Sequence, residues 1–298
     1  MATSKQSFGG NWTAEKLERL QKYLAAYVMA MKAQPFQLTY IDAFAGTGYN
    51  TKGQKKDAED EEAYFPELAE PEVKSFVDGS ARIALKISPA FHRFVFIEKA
   101  AERCRELEKL RDEFPSSAEQ IKIVQDDANA ALQSLCAKVN WSKQRAVLFL
   151  DPFGMQVSWD TIRAIAETKA IDVWILFPLG MAVNRLLTRS GKMAEGWRNR
   201  LNDFFGTDAW QREFYRQDSQ MNLFGEEEVT VYKDTNLKAI GEFFNKRLGE
   251  IFPGVAKNPL SLLNSIGTPL FLLCFAVSNP SPKARALAIK IAQDILSR

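Results

Sequence analysis

Histidine and cysteine are scarce in this sequence. Among 298 residues there is one histidine, His92, and three cysteines, Cys104, Cys136 and Cys274. The cysteines lie far apart within apolar segments, so reduced core thiols are expected and neither a disulfide frame nor a metal knuckle is. His92 precedes "RFVFIE" without a histidine or cysteine partner at ligand spacing, which leaves zinc chemistry and a serine–histidine triad unsupported and points to a surface or strand-end histidine. No metal is expected. An excess of one charge is also missing: 39 basic residues face 37 acidic ones, a formal net charge of +2. No global field therefore drives the chain onto nucleic acid or an anionic membrane, although a local basic face is compatible with that balance. The most apolar runs, "VWILFPLG" and "PLFLLCFAV", are strand-length, and the opening "MATSKQSFGGNW" has no hydrophobic signal core. The expected location is the cytoplasm, with no membrane partner.

What the chain does have is a 46% hydrophobic content, ample for the core of one large α/β domain or of a domain with an inserted subdomain. The segment "NWTAEKLERL" announces a helix with Thr13 as N-cap and Trp12 and Leu17 as a hydrophobic staple; Leu17, Leu20, Leu24, Tyr27 and Met31 recur at helical spacing. Strands follow near 36–42, at 93–98, 120–124, 146–150 and 172–177. They alternate with helices from about 80, at 100–112, near 128–138 and near 159–168. Continuous Val/Ile/Leu/Phe strands in such alternation predict a doubly wound, mainly parallel sheet covered on both faces. Residues 181–250 break the rhythm and read as two or three short helices. The sheet then resumes at 269–279, and a last helix closes the fold.

In such sheets ligands bind at the carboxyl ends of the strands. The first strand ends in Asp42 and the loop Ala43-Phe44-Ala45-Gly46-Thr47-Gly48, whose glycines let backbone approach a ligand without a Cβ in the way. The second ends in Glu98, an acid placed either to accept from both ribose hydroxyls of an adenosine cofactor or, more blandly, to sit solvated at a helix start. It lies fifty residues beyond Gly48, but nineteen beyond once 49–79 is set aside. That arithmetic makes 49–79 an insertion, with Ser80 as N-cap of the displaced helix, and the insertion is expected to be a mobile flap beside the cleft. The third strand ends in "QDDAN", where Asp127, or second to it Asp126, caps the next helix or accepts from an exocyclic adenine amine. The fourth ends in Asp151-Pro152-Phe153-Gly154. A carboxylate and a carbonyl there can hold both protons of a planar amine beside an aromatic face; a simple strand-ending turn is the other reading.

These four strand ends resemble those of the class I S-adenosylmethionine-dependent methyltransferases: "DAFAGTG" for the glycine loop, "FIE" for the ribose acid, "DDAN" for the adenine-side acid and "DPFG" for the loop of amino-methyltransferases. More narrowly, the chain resembles the bacterial three-Cys-motif partner proteins over nearly its whole length. The match runs from "W-x3-KL-x2-L-x2-YL" at Trp12–Leu24 through "YIDAFAGTG", "DGS", "FIE", "DAN" and "LDPFG" to "PLFLLCFAVSNP". The resemblance implies a seven-stranded Rossmann-like methyltransferase sheet and S-adenosylmethionine as cofactor. It implies cofactor contacts at Asp42, Phe44, Ala45, Gly46, Gly48, Ser80, Glu98, Asp127 and Ala128, and catalytic roles for Asp151, Pro152 and Phe153. It also implies a partner protein carrying three cysteines, a motif that Cys104, Cys136 and Cys274 do not form. Many DNA amino-methyltransferases place a second proline and then an aromatic where this chain has Phe153 and Gly154; the "DPFG" loop is more similar to that of tRNA guanine N2-methyltransferases.

The expected layout is an N-terminal helix over 1–35, a cofactor-binding core over 36–180, a helical insertion or cap over 181–255 and the closing strands and helix over 256–298. The leading functional expectation is methyl transfer to an exocyclic amine of a nucleic acid base. Arg-rich 185–200, interleaved with Trp197 and extended to Trp210, is read either as a backbone-binding face or as an amphipathic cap. A cofactor-binding accessory subunit acting through a partner in a bacterial modification or defence system is the second expectation. A nicotinamide-dependent dehydrogenase, which shares the glycine loop and ribose acid, is the third; the lack of a catalytic His–acid pair and the Asp-Pro-Phe-Gly loop count against it.

Overall fold

The apolar runs become strands because burying both faces of a sheet requires side chains that are apolar in both directions. In the computed structural model, which describes residues 11–46, 79–221, 224 and 227–297, five of them pair in parallel. These are β1 (Gln37–Asp42), β2 (Arg93–Glu98), β3 (Ile121–Gln125), β4 (Gln144–Leu150) and β5 (Ile171–Phe177), in the order β3-β2-β1-β4-β5. A separate hairpin, β6 (Tyr215–Met221) and β7 (Glu227–Lys233), stands off this sheet. The chain then returns through β8 (Gly254–Val255), β9 (Leu260–Leu263) and β10 (Pro269–Val277); β10 runs antiparallel to β5 and carries β8 and β9. The result is an eight-stranded, mainly parallel α/β sheet, one strand more than expected. β8 and β9 escape a reading by hydrophobic pattern because they are two and four residues long. They are held by pairing to β10 rather than by a pattern of their own.

Alternate residues of each strand feed two cores. On one face Ala146, Leu148 and Leu150 of β4 meet α4 (Ala128–Lys138), α5 (Trp159–Glu167), α6 (Glu195–Phe205), α7 (Trp210–Phe214) and α8 (Leu237–Ile251). On the other, Val147 and Phe149 meet α1 (Asn11–Met31), α2 (Ser80–Leu85), α3 (Ala101–Glu108) and α9 (Pro282–Leu296). The predicted stripe of α1 holds at its centre, with Leu20, Leu24 and Tyr27 buried, while Leu17 and Met31 at its ends are half-buried. Tyr23 and Val28 join it, and so do two cations, Lys16 and Arg19.

Several local expectations change. Thr13 is not an N-cap: α1 already includes Asn11, and Trp12 is a helical residue whose ring packs 4.9 Å from that of Phe271, a tertiary contact that draws the helix past the expected cap. Ser80 is not the cap of α2 either. Gly79 takes that place, and the Ser80 hydroxyl donates to Asp42 Oδ2 at 2.6 Å. The segment 181–255 holds α6, α7 and α8 but also contains the β6–β7 hairpin and ends in β8. Trp210 is 1% exposed and belongs to the core, so only Trp197 of the two interleaved tryptophans has any surface. His92 is an exposed strand-end residue, as expected; its Nδ1 accepts the Leu38 amide at 3.0 Å. Among the described residues no helix is long and apolar enough to cross a membrane, and no group of three histidine, cysteine or acidic residues could hold a metal ion.

One buried acid makes α1 docking sensitive to pH. Asp172, 8% exposed, accepts the Tyr23 hydroxyl at 2.7 Å. Burial pushes its carboxyl up to about 7, against the opposing pull of Tyr23 and Arg145. Because the folded state holds the proton more tightly than the unfolded chain, this residue's contribution is most favourable in acid and is lost as pH rises toward 7. Asp172→Asn keeps a carbonyl for Tyr23 and cannot ionise. Between pH 5 and pH 8 the wild type is expected to lose about 2 kcal/mol more stability than the variant. Urea melts of both proteins at the two pH values check this, and parallel losses would refute it.

Candidate functional site

The parallel order reverses between β1 and β4, and a doubly wound sheet opens its ligand crevice at the carboxyl ends beside such a switch point. Asp42 ends β1 and Asp151 follows β4, so these two acids flank it. Beyond Asp42 the ladder splits: the Ala43 amide donates to Phe149 of β4 at 3.2 Å and the Ala45 amide to Ile97 of β2 at 3.0 Å. The loop thus leaves the sheet held from both sides. Asp42 is fully buried and accepts from the Phe44 amide at 3.2 Å, from Ser80 and, at 3.4 Å, from Tyr40. Burial pushes its carboxyl up to about 6; the negative charge of Asp151 works in the same direction and the hydrogen bonds against it. Phe44 is half-buried, while Ala45 and Gly46 are buried. Gly48 and most of the 49–79 insertion lie outside the described residues.

Glu98 reaches the same loop from β2. A Cβ on Gly46 would stand 2.5 Å from Glu98 Oε2 and 2.9 Å from Arg103 Cβ, so this close approach requires glycine. Glu98 Oε1 accepts the Ala100 amide at 2.7 Å, and Arg103 Nη1 lies 3.8 Å from Oε2 and 3.4 Å from the Gly46 carbonyl, within reach of both. The carboxylate is 7% exposed, and burial, opposed by the Ala100 amide and Arg103, raises its pKa. Glu98 is therefore not a solvated helix-start acid. Asp127 is: it is exposed, caps α4 and accepts the Asn129 and Ala130 amides on Oδ1 alone, which leaves Oδ2 outside the cap. Ala128 begins α4 and is 8% exposed.

At β4, Asp151 and Phe153 are partly exposed and Pro152 is buried. Gly154 takes φ 60°, the left-handed turn that sends the chain back, and Gln156 Oε1 accepts the Phe153 amide at 3.2 Å. Two residues that pattern reading passed over brace this loop. Asn129 donates to the Gln156 carbonyl at 2.8 Å and accepts the Ser158 amide at 3.0 Å. Lys16 sends its ammonium from α1 to Asp151 Oδ2 at 2.5 Å, with its side chain 1% exposed. Both residues were visible in quoted stretches, Asn129 in "DDAN" and Lys16 in "W-x3-KL". Lys16 also falls on the buried stripe, four residues before Leu20. An open depression lined by Trp141, Arg145, Lys169 and Ser281 lies at the opposite, amino-terminal edge of the sheet, away from all of these residues.

The described part of the site thus combines a glycine loop at two strand tips, a covered acid that could hold vicinal hydroxyls, a cap acid with an unused oxygen, and an acid–carbonyl–aromatic turn. Such an arrangement can bind a nucleoside-containing cofactor along the sheet edge and hold an amine at the switch point.

No protein-family model and no curated protein matches the chain. Solved structures do resemble it. A Legionella pneumophila protein has a TM-score of 0.38 at 13% identity, over 80% of this chain and 93% of that one. A methyltransferase from Geobacter sulfurreducens has a TM-score of 0.27 at 17% identity, over 72% and 78%. TYW2 of M. jannaschii, solved in complex with AdoMet, has a TM-score of 0.26 at 12% identity, over 76% and 77%. Methyltransferases are thus among the structures that the chain is similar to.

Proposed function

We propose that this protein is an S-adenosylmethionine-dependent methyltransferase that acts on an exocyclic amine of a nucleic acid base. The observation that carries the reading is the convergence of Asp42, Gly46, Glu98, Asp127 and Asp151 at the carboxyl ends of four adjacent parallel strands, with Asp42 and Asp151 on either side of the switch point. The close passage of Gly46 over Glu98 ties the loop to the acid assigned to the ribose, because the space that a Cβ would fill is taken by the Glu98 and Arg103 side chains. When bound, S-adenosylmethionine supplies an electrophilic methyl on a sulfonium. The chain does the rest. Backbone beside Gly46 would hold the amino-acid end, with Asp42, Phe44, Ala45 and Ser80 fixing the loop; Glu98 would accept from the ribose, Asp127 Oδ2 would accept from the adenine amine, and the Ala128 amide at the start of α4 would donate to a ring nitrogen. Asp151 and the Pro152 carbonyl would each accept a hydrogen bond from one N–H of the target amine, which keeps its lone pair aimed at the methyl; with the sulfonium left as a thioether product, the one proton the methylated nitrogen sheds passes to Asp151 or to water. Phe153 stacks on the base.

The test is transfer of a radiolabelled methyl group to bulk DNA, RNA and protein, with calorimetry of cofactor binding alongside. The expected outcome is micromolar or tighter binding of S-adenosylmethionine and label in nucleic acid. Binding of NAD in its place overturns the proposal. The resemblance to three-Cys-motif partner proteins sets a second arm, in which a three-cysteine-motif protein is added. Cofactor binding without label in any acceptor, with that partner present, favours an accessory subunit.

A further inference from the structure

The buried cation on α1 is not explained by folding alone. Lys16 and Asp151 are 135 residues apart, and their contact joins the first helix to the loop after β4. The ammonium lies 5.4 Å from the centroid of the Trp12 ring and 5.8 Å from that of Phe149, so it is enclosed by aromatic faces as well as paired. A pair of this kind is weak evidence for stability, because desolvating the ammonium offsets much of the attraction and an apolar side chain of the same length packs as well. At 1% exposure Lys16 cannot touch an acceptor, whereas Asp151, at 24%, can.

We propose that Lys16 is a positioning residue for Asp151, its ammonium holding Oδ2 so that Oδ1 and the Pro152 carbonyl together present the two acceptors for the target amine. This rests on the methyltransferase reading above. A carboxylate bound through one oxygen loses its freedom to rotate about its side-chain bonds, and its second oxygen then faces the crevice in a single orientation. Asn129 does the same for the backbone of that turn through Gln156 and Ser158. The geometry also divides the labour between the acids at the switch point. Asp42 is fully buried with both oxygens engaged by Ser80, Tyr40 and the Phe44 amide, whereas Asp151 is partly exposed and, among the described residues, is engaged through Oδ2.

The experiment is a double-mutant cycle of Lys16→Met and Asp151→Ala, read by hydrogen exchange of the amides at 153–156 and accompanied by thermal melts and S-adenosylhomocysteine binding. Partly exposed Asp151 regains water when Lys16 is removed, so Lys16→Met is expected to remain folded; Lys16→Gln is the second variant should it not. Exchange in the turn is expected to be about tenfold faster in Lys16→Met, and no faster in the double variant than in Asp151→Ala alone. S-adenosylhomocysteine affinity is expected to change less than about twofold in Lys16→Met, since the lysine does not reach the cofactor side. Equal effects of Lys16→Met with and without Asp151 overturn the proposal, because a side chain that only fills space does not need its partner. If the cycle is coupled but the wild type binds neither S-adenosylmethionine nor S-adenosylhomocysteine, it is the methyltransferase reading that fails.

Discussion

Asp151→Ala is expected to lower methyl transfer on the order of 10³-fold while leaving S-adenosylmethionine affinity within about a factor of three. The asymmetry follows from where Asp151 stands. It follows β4, bonded through Oδ2 to Lys16, while the loop assigned to the cofactor is held by Asp42, Glu98 and the amides of Ala43 and Ala45. Removing it deletes an acceptor for the target amine, leaves the Lys16 ammonium buried without this partner and takes away a charge that helps raise the Asp42 pKa, but it breaks none of the hydrogen bonds that hold the loop. Initial rates at saturating cofactor, with the nucleic acid that becomes labelled, measure the loss; calorimetry measures the retained binding. A variant that transfers methyl at more than a tenth of the wild-type rate would remove Asp151 from the reaction. Asp151→Asn separates charge from shape: its amide oxygen still accepts, so a smaller loss than with alanine is expected.

Glu98→Ala is expected to weaken S-adenosylmethionine binding at least about a hundredfold, since two hydrogen bonds from ribose hydroxyls to a charged acceptor are lost together. The low exposure of this carboxylate strengthens the expectation, because a hydrogen bond to an ionised group in a covered site is worth more than one in water. Glu98→Gln keeps one acceptor oxygen and an intermediate loss is expected. The control is the fold. Glu98 also accepts the Ala100 amide and lies against Gly46, so melts of each variant must accompany the calorimetry. Affinity that survives in Glu98→Ala, in a protein that melts like the wild type, would take the ribose role away from this residue and from the nineteen-residue spacing, with 49–79 set aside, that suggested it.

Much of the scaffold is legible along the chain because strand burial writes itself in composition. "RFVFIE" and "DVWILF" are apolar on successive residues, which only a sheet covered on both sides accommodates, and both emerge as parallel strands with buried interiors. The strand ends are legible for the same reason, since a polar residue at the end of such a run, such as Asp42 or Glu98, stops at the sheet edge. Charged residues that turn inward are not. Lys16 lies on the helical stripe of Leu20, Tyr23 and Tyr27, yet its type implies water, and only the partner 135 residues away in sequence makes its burial tolerable. Ser80 reads as a helix cap until Asp42 is brought to within 2.6 Å of its hydroxyl. The β6–β7 hairpin is hidden for another reason: "YRQDSQM" has little apolar alternation, and the short Val-Thr-Val-Tyr run of "EEVTVYK" depends on that polar partner for its hydrogen bonds.

The sequence by itself thus determined the α/β alternation, the two-sided burial of the strands and the acids and glycines that end them, since each depends on side-chain type and spacing over fewer than a dozen neighbours. Tertiary structure alone decided the strand order that sets Asp42 and Asp151 across the switch point, the passage of Gly46 over Glu98, and the capture of Asp151 by Lys16. Each of these joins residues far apart in the chain, and the energy that selects them comes from long-range packing and desolvation, which no local pattern records.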